Sequence, residues 1–231
     1  MDTKPRISII TPTTFERSNF LPLLVNNVIS QTYPHELIEW VVVGDKDPRT
    51  KGEFSEIFKS IPYITCKYYE CDILDNVGKK RNYSCSLATN KIFANMDSDD
   101  FYQRSYLEYS VNTMKEQKVN LVGSRDMLIF YPNVNGKMTM VRGHSAHEAT
   151  LVCTKKHWVQ NKYGNIPKGE GLNMVKGKFY NELDIRKVMI CFAHGANTYS
   201  KDSLLDATEV PISEDMRLMI MEMYSMCASK K

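Results

Sequence analysis

Asp97 and Asp99 stand one residue apart in Asn95-Met96-Asp97-Ser98-Asp99-Asp100-Phe101-Tyr102, directly behind the apolar run Lys91-Ile92-Phe93-Ala94. Two carboxylates at the end of a buried strand face one cleft, and uncompensated they repel each other strongly. A divalent cation compensates both. Hard oxygen donors of this kind suit Mg²⁺ or Mn²⁺, which keep positions open for water and phosphate oxygens. The plainer reading makes both acids caps for the helix that begins near Arg104, since Asp and Ser are common before helices. A calcium loop is excluded, because its next oxygen donor and its Gly would fall where Phe101 and Tyr102 stand.

The elements around the motif favour the metal and diphosphate reading. Ile7 to Thr11 is strand-like, and Phe20, Leu21, Leu24, Val25, Val28 and Ile29 recur at helical spacing, with Ser18 or Asn19 as the cap. Leu37 to Gly44 reads as a near-continuous apolar strand, Phe54, Ile57 and Phe58 as a short helix, and Ile64 to Tyr69 as a third strand. A helix over Gly78 to Thr89 then precedes the strand at 91–96. Strands buried on both faces and separated by helices predict right-handed βαβ units and a parallel sheet. Ligands bind beyond the carboxyl ends of such strands. Those ends are Thr11-Pro12-Thr13, Asp45, Cys71-Asp72 and Asp97-Ser98-Asp99.

The rest of the chain is mixed. A helix over Ser105 to Gln117 is followed by β-like runs at 119–124, 126–131, 137–142 and 149–154, and a further strand over Val188 to Ala193. Gly and Asn punctuate 161–177, and Ser213 to Cys227 reads as an amphipathic helix whose Met216, Met219, Ile220 and Met223 form a docking face. With 231 residues and 42% hydrophobic content, the expectation is one α/β domain: 1–103 a ligand-binding half, 104–212 a mixed half shaping a second substrate's pocket, and 213–231 a C-terminal helix. A net charge of +3 with scattered basic residues argues against nucleic acid as a partner. Six dispersed cysteines without Cys-x-x-Cys predict reduced thiols, and the lack of a transmembrane stretch predicts a soluble, cytoplasmic protein.

Ile7-Ser8-Ile9-Ile10-Thr11-Pro12-Thr13 with Arg17, Gln31-Thr32-Tyr33, the strand ending at Asp45, Gly78-Lys79-Lys80-Arg81-Asn82 and Asp97-Ser98-Asp99-Asp100, in this order, resemble the family 2 glycosyltransferases of GT-A fold. The likeness is close over about the first 105 residues and looser beyond. It implies a Rossmann-like, mostly parallel sheet, a nucleotide-diphosphate sugar as donor (a UDP-sugar in most of the family), Mn²⁺ or Mg²⁺ as cofactor, and an acceptor hydroxyl, expected on a glycan. The nucleotide falls to Thr11, Pro12, Thr13 and Asp45, with Asp47 the alternative to Asp45 because the family's two acids and Gly-Ser are replaced here by Gly44-Asp45-Lys46-Asp47. Arg17, Gly78 and Arg81 join the donor site, while Lys79 and Lys80 read as solvated lysines. Asp99 is the expected metal ligand, with Asp97 and Ser98 at the sugar or ribose, Asp97 a second candidate ligand, and His194 a further one.

The family inverts at the anomeric carbon, so a base must take the acceptor proton. Its usual place is a Gly-Glu-Asp-like turn, which Lys168-Gly169-Glu170-Gly171-Leu172 resembles. Glu170 is therefore the expected base, Gly171 replaces the family's adjacent Asp, and Glu148 and Asp184 are the reserves. His144 and His147 lack metal-ligand spacing, and Trp158 is either a sugar platform or core. Two other functions compete: a sugar-phosphate nucleotidyltransferase, disfavoured because Thr11 to Asn19 has no Gly, and a silent nucleotide- or carbohydrate-binding module that acts through a partner. Oligomeric state is not legible.

Overall fold

The computed structural model describes residues 4–72, 76–195, 197 and 200–228. Met1 to Thr3, the last three residues of the expected C-terminal segment, and Ala196 beside His194 lie outside that range. The first half runs β1 (Ile7–Pro12), α1 (Leu21–Ile29), β2 (Ile38–Asp45), α2 (Pro48–Ser60), β3 (Thr65–Cys71), α3 (Val77–Leu87) and β4 (Ile92–Asn95). The second half runs β5 (Phe101–Tyr102), α4 (Tyr106–Glu116), β6 (Leu121–Gly123), β7 (Asp126–Tyr131), β8 (Lys137–Arg142), β9 (Val152–Thr154), α5 (Lys155–Asn161), α6 (Leu172–Val175), β10 (Asn181–Glu182), β11 (Met189–Phe192), β12 (Thr208–Glu209) and α7 (Glu214–Ala228).

Seven strands form the main sheet in the order β10-β6-β9-β4-β1-β2-β3. All its pairs are parallel except the two made by β9, which runs antiparallel to β4 and β6. Side-chain alternation along β1 and β2 divides the core in two. Ile7, Ile9, Trp40 and Val42 pack on one face with Leu24 and Val28 of α1, Phe54 of α2 and Val111 of α4. Ile10 and Val41 pack on the other with Cys85 of α3 and Trp158 of α5. Trp158 is thus core, edge-on to Phe93, and not a sugar platform. The fold is a mixed α/β one, with a mostly parallel central sheet between helices.

Two sequence expectations shift. Ser18 and Asn19 fall inside a 3-10 turn at Phe15–Phe20, and α1 starts at Leu21 with no side-chain cap and Pro in its first turn, where a missing N–H costs nothing. The docking face of α7 is not Met216 and Met219, which are exposed. Ile220 is buried and Met223 packs against the core as expected, joined by Cys227 and by Tyr224, which packs on Phe20 and Phe192. All six cysteines are free. Among the described residues no helix is long and apolar enough to cross a membrane.

A second sheet has the order β12-β8-β7-β11-β5. β5 follows the acidic turn immediately, and its antiparallel pairing of Phe101 with Ile190 of β11 draws the residues beyond β11 toward Asp99. Asn27, fully buried on α1, pins the turn by donating to the Asp100 carbonyl at 2.7 Å and accepting from the Tyr102 N–H at 3.0 Å.

Candidate active site

β1, β4 and the 3-10 turn after β1 place the charged side chains at the carboxyl end of the main sheet, as a parallel sheet predicts. Asp99 is almost wholly enclosed. One of its oxygens lies 3.3 Å from Arg17 and the other 3.2 Å from Nε2 of His194. Burial raises its carboxyl, but Arg17 and His194 outweigh burial and hold it below the usual value. Asp100 goes the other way, pushed up to about 8 by burial and by the charges of Asp99 and Asp97. Its Oδ1 accepts the Phe192 N–H at 3.3 Å, tying the acidic turn to β11. His194 is held in turn by Asn197, through a backbone bond of 2.8 Å and a ring contact of 2.9 Å.

Arg81 is the other organising charge. Two of its nitrogens meet the Asp97 carboxylate at 2.8 and 2.9 Å, and its Nε donates to Glu170 at 2.9 Å. The Glu170 carboxyl is raised by burial, with Arg81 opposing. A solvent-facing Glu170 is therefore excluded: the residue is 5% exposed. Gly78 explains how the turn at 164–170 comes so close. A Cβ at 78 would lie 1.9 Å from the Gly164 carbonyl oxygen and 2.9 Å from Glu170 Cβ.

Asp97, Asp99, Arg17, Arg81 and Glu170 line one cleft of about 350 Å³, together with Glu148, Lys168, Asn197 and Lys201. A second groove shares Arg17 and Asn197 with it and runs along Pro12, Thr13, Asn76, Val77 and Lys80. Lys80 corrects the expectation of a solvated lysine. It is buried, pairs with Asp45, and donates to the Thr13 carbonyl at 3.1 Å. Asp47 does something different, capping α2 through the Arg49 N–H. Thr11 is enclosed, its hydroxyl accepting from the Trp40 indole at 3.0 Å, so its side chain lies outside both cavities. Ser98 is buried, and its hydroxyl has no hydrogen-bond partner among the described residues. Asp184 caps the turn at Ile185–Lys187 and is absent from both cavity walls.

The family assignment follows from the sequence matched across both halves, since residues 8–204 fit the model of Glycosyl transferase family 2. The chain belongs to that family. Its activity is accordingly that of a glycosyltransferase. No curated protein matches it by sequence. Among solved structures it resembles S. aureus TarS 1-349 in complex with UDP-GlcNAc, at 15% identity and TM-score 0.67 over 98% of this chain and 73% of that one. It also resembles the mannosyltransferase PcManGT from Pyrobaculum calidifontis in complex with GDP-Man and Mn2+, at 14% identity and TM-score 0.66 over 98% and 74%. At such identities the likeness is one of fold, and the fold is GT-A. Against full TarS the match covers 98% of this family 2 chain and 44% of the other.

Sequence reasoning missed Lys80, Asn197 and Lys201 as site residues. Lys80 carried a signal, since on a helix it sits four positions before Ser84 and five before Cys85, on the buried side of α3. Asn197 and Lys201 follow β11 in irregular chain, where no periodicity marks them.

Proposed function

We propose that this family 2 protein transfers a sugar from a nucleotide-diphosphate donor, a UDP-sugar, to an acceptor hydroxyl on a glycan, with a divalent cation and with inversion. The observation that carries the reading is Asp99 in the first cleft, held between His194 and Arg17, the latter shared with the groove along Pro12, Thr13 and Lys80. Nucleotide and sugar-diphosphate need two such adjoining spaces with charge at the junction.

The donors present fit a cation. Asp99 offers hard oxygen and His194 an imidazole nitrogen, a mixed set that Mn²⁺ accepts, and no cluster of three or more acidic, His or Cys side chains exists among the described residues to cage it. The rest of its shell is left to phosphate oxygens and water. Bound there, it would supply positive charge to a departing diphosphate.

This chain's own residues do the remainder. Arg17 adds a fixed positive charge to the diphosphate side, and Lys80, which lines the groove and is paired with Asp45 behind it, offers an ammonium toward the nucleotide. Arg81 holds Asp97 in place for a sugar or ribose hydroxyl. Proton removal from the acceptor falls to one of the two carboxylates that flank Gly171, Glu148 or Glu170. The test is nucleotide release from UDP-, GDP- and dTDP-sugars with Mn²⁺, Mg²⁺ or EDTA, read beside thermal shift. Metal-dependent release lost in Asp99→Ala supports the reading, and a donor that stabilises the protein without turnover points to the silent module.

A further inference from the structure

Glu148 and Glu170 both line the first cleft, and they differ in how free they are. Glu170 is 5% exposed and bound to Arg81, itself 2% exposed and also holding Asp97. Burial raises the Glu170 carboxyl, but its Oε1 is committed to Arg81 Nε at 2.9 Å, and that contact holds the side chain as a strut for Arg81. Glu148 stands partly exposed at the cleft. Among the described residues its carboxylate takes one hydrogen bond, at Oε1 from the Gly171 N–H at 3.1 Å, and it pairs with no cation. Its backbone is fixed, because Asn95 at the end of β4 donates to the Glu148 carbonyl at 2.6 Å.

Gly171 explains why Glu148 reaches the cleft. The backbone there is ordinary right-handed helical, with φ −77° and ψ −9°, so no conformational need calls for glycine. What a side chain would lack is room. A Cβ at 171 would lie 2.4 Å from Glu148 Cγ and 3.2 Å from its Cδ and Oε1. The Glu148 carboxylate fills the space in which a residue-171 side chain would sit.

Given the transfer reaction proposed above, on which this step rests, we infer that Glu148 is the catalytic base, and that Glu170 is a positioning residue acting through Arg81. Glu148 takes the proton of the acceptor hydroxyl as that oxygen forms its bond to the anomeric carbon. The bond from that carbon to the diphosphate oxygen breaks on the opposite face, and its electron pair leaves with the nucleoside diphosphate. The proton on Glu148 returns to solvent.

The test compares wild type, E148Q, E148A, E148A/G171D and E170Q with UDP-GlcNAc, UDP-glucose and GDP-mannose plus Mn²⁺. Thermal shift reads binding, and nucleotide release reads turnover, with water and then with azide as acceptor. Azide needs no deprotonation. E148Q and E148A should keep the donor-induced shift and lose release to water by about 100-fold or more, the usual worth of a general base. Azide should restore release in E148A with formation of a glycosyl azide. The second carboxylate in E148A/G171D, placed in the space Glu148 vacates, should recover at least about tenfold of the lost rate. E170Q, which keeps an oxygen for the Arg81 Nε, should retain release within about tenfold while its donor KM rises. Release at wild-type rate by E148A, or loss in E170Q that azide repairs, overturns the assignment and leaves the transfer reading standing. A wild type that no donor stabilises overturns the transfer reading itself, and the base with it.

Discussion

Arg81 has almost no exposed surface and faces two carboxylates, Asp97 and Glu170. A buried arrangement of this kind contributes little net stability when complete, yet breaking it is costly, because a charge is left buried without a partner. Arg81→Met should therefore destabilise the protein by roughly 3–5 kcal/mol in urea unfolding. Arg81→Met with Glu170→Leu should cost clearly less than the sum of the two single changes, and strict additivity would show that the pair is not coupled. Arg81→Lys would not substitute, since a point charge cannot serve both carboxylates in the fixed fork that a guanidinium provides.

β2 was legible as an apolar strand, but it carries a buried acid that the run of Val concealed. Glu39 accepts from Ser8 on β1, Lys67 on β3 and both the N–H and hydroxyl of Thr89. Burial alone would raise its carboxyl, but these partners prevail and hold it below the ordinary range of a glutamate. With the folded pKa below the unfolded one, the stabilisation is present above the ordinary carboxylate range and is lost as pH falls through the depressed folded value. Glu39→Gln should cost about 2–4 kcal/mol at neutral pH and flatten the acid limb of Tm against pH, from about pH 5 downward. An unchanged acid limb would mean that other carboxylates drive it. α3 supplies the second element-scale prediction. Gly78→Ala forces a Cβ against the Gly164 carbonyl, so the urea midpoint should fall by the equivalent of about 1–3 kcal/mol, with the slope unchanged.

At the scale of the molecule, α7 backs the site from outside the main sheet. Tyr224 packs on Phe20 and Phe192, and Phe20 in turn lies 4.4 Å, centroid to centroid, from the His194 ring. Ile220→Ala, at 1% exposure, should cost about 2–4 kcal/mol, whereas Leu218→Ala, at 59%, should stay within about 0.5. Equal effects would mean that α7 is docked by another face. The sequence by itself determined the alternation of strand and helix over the first hundred residues, the parallel sheet it implies, and the acidic turn at its carboxyl end. Those features are local: a period of 2 or 3.6 and a motif behind an apolar run are written within a dozen residues. Only the tertiary structure decided which charges meet. Lys80 with Asp45, Arg81 with Glu170, and His194 with Asp99 join residues 35, 89 and 95 positions apart, and Glu148 enters the space left by Gly171 from a separate turn. Pairing across such distances is set by how strands far apart in the chain are brought into the same sheet and by where a side chain is missing. Neither leaves a period in the sequence to read.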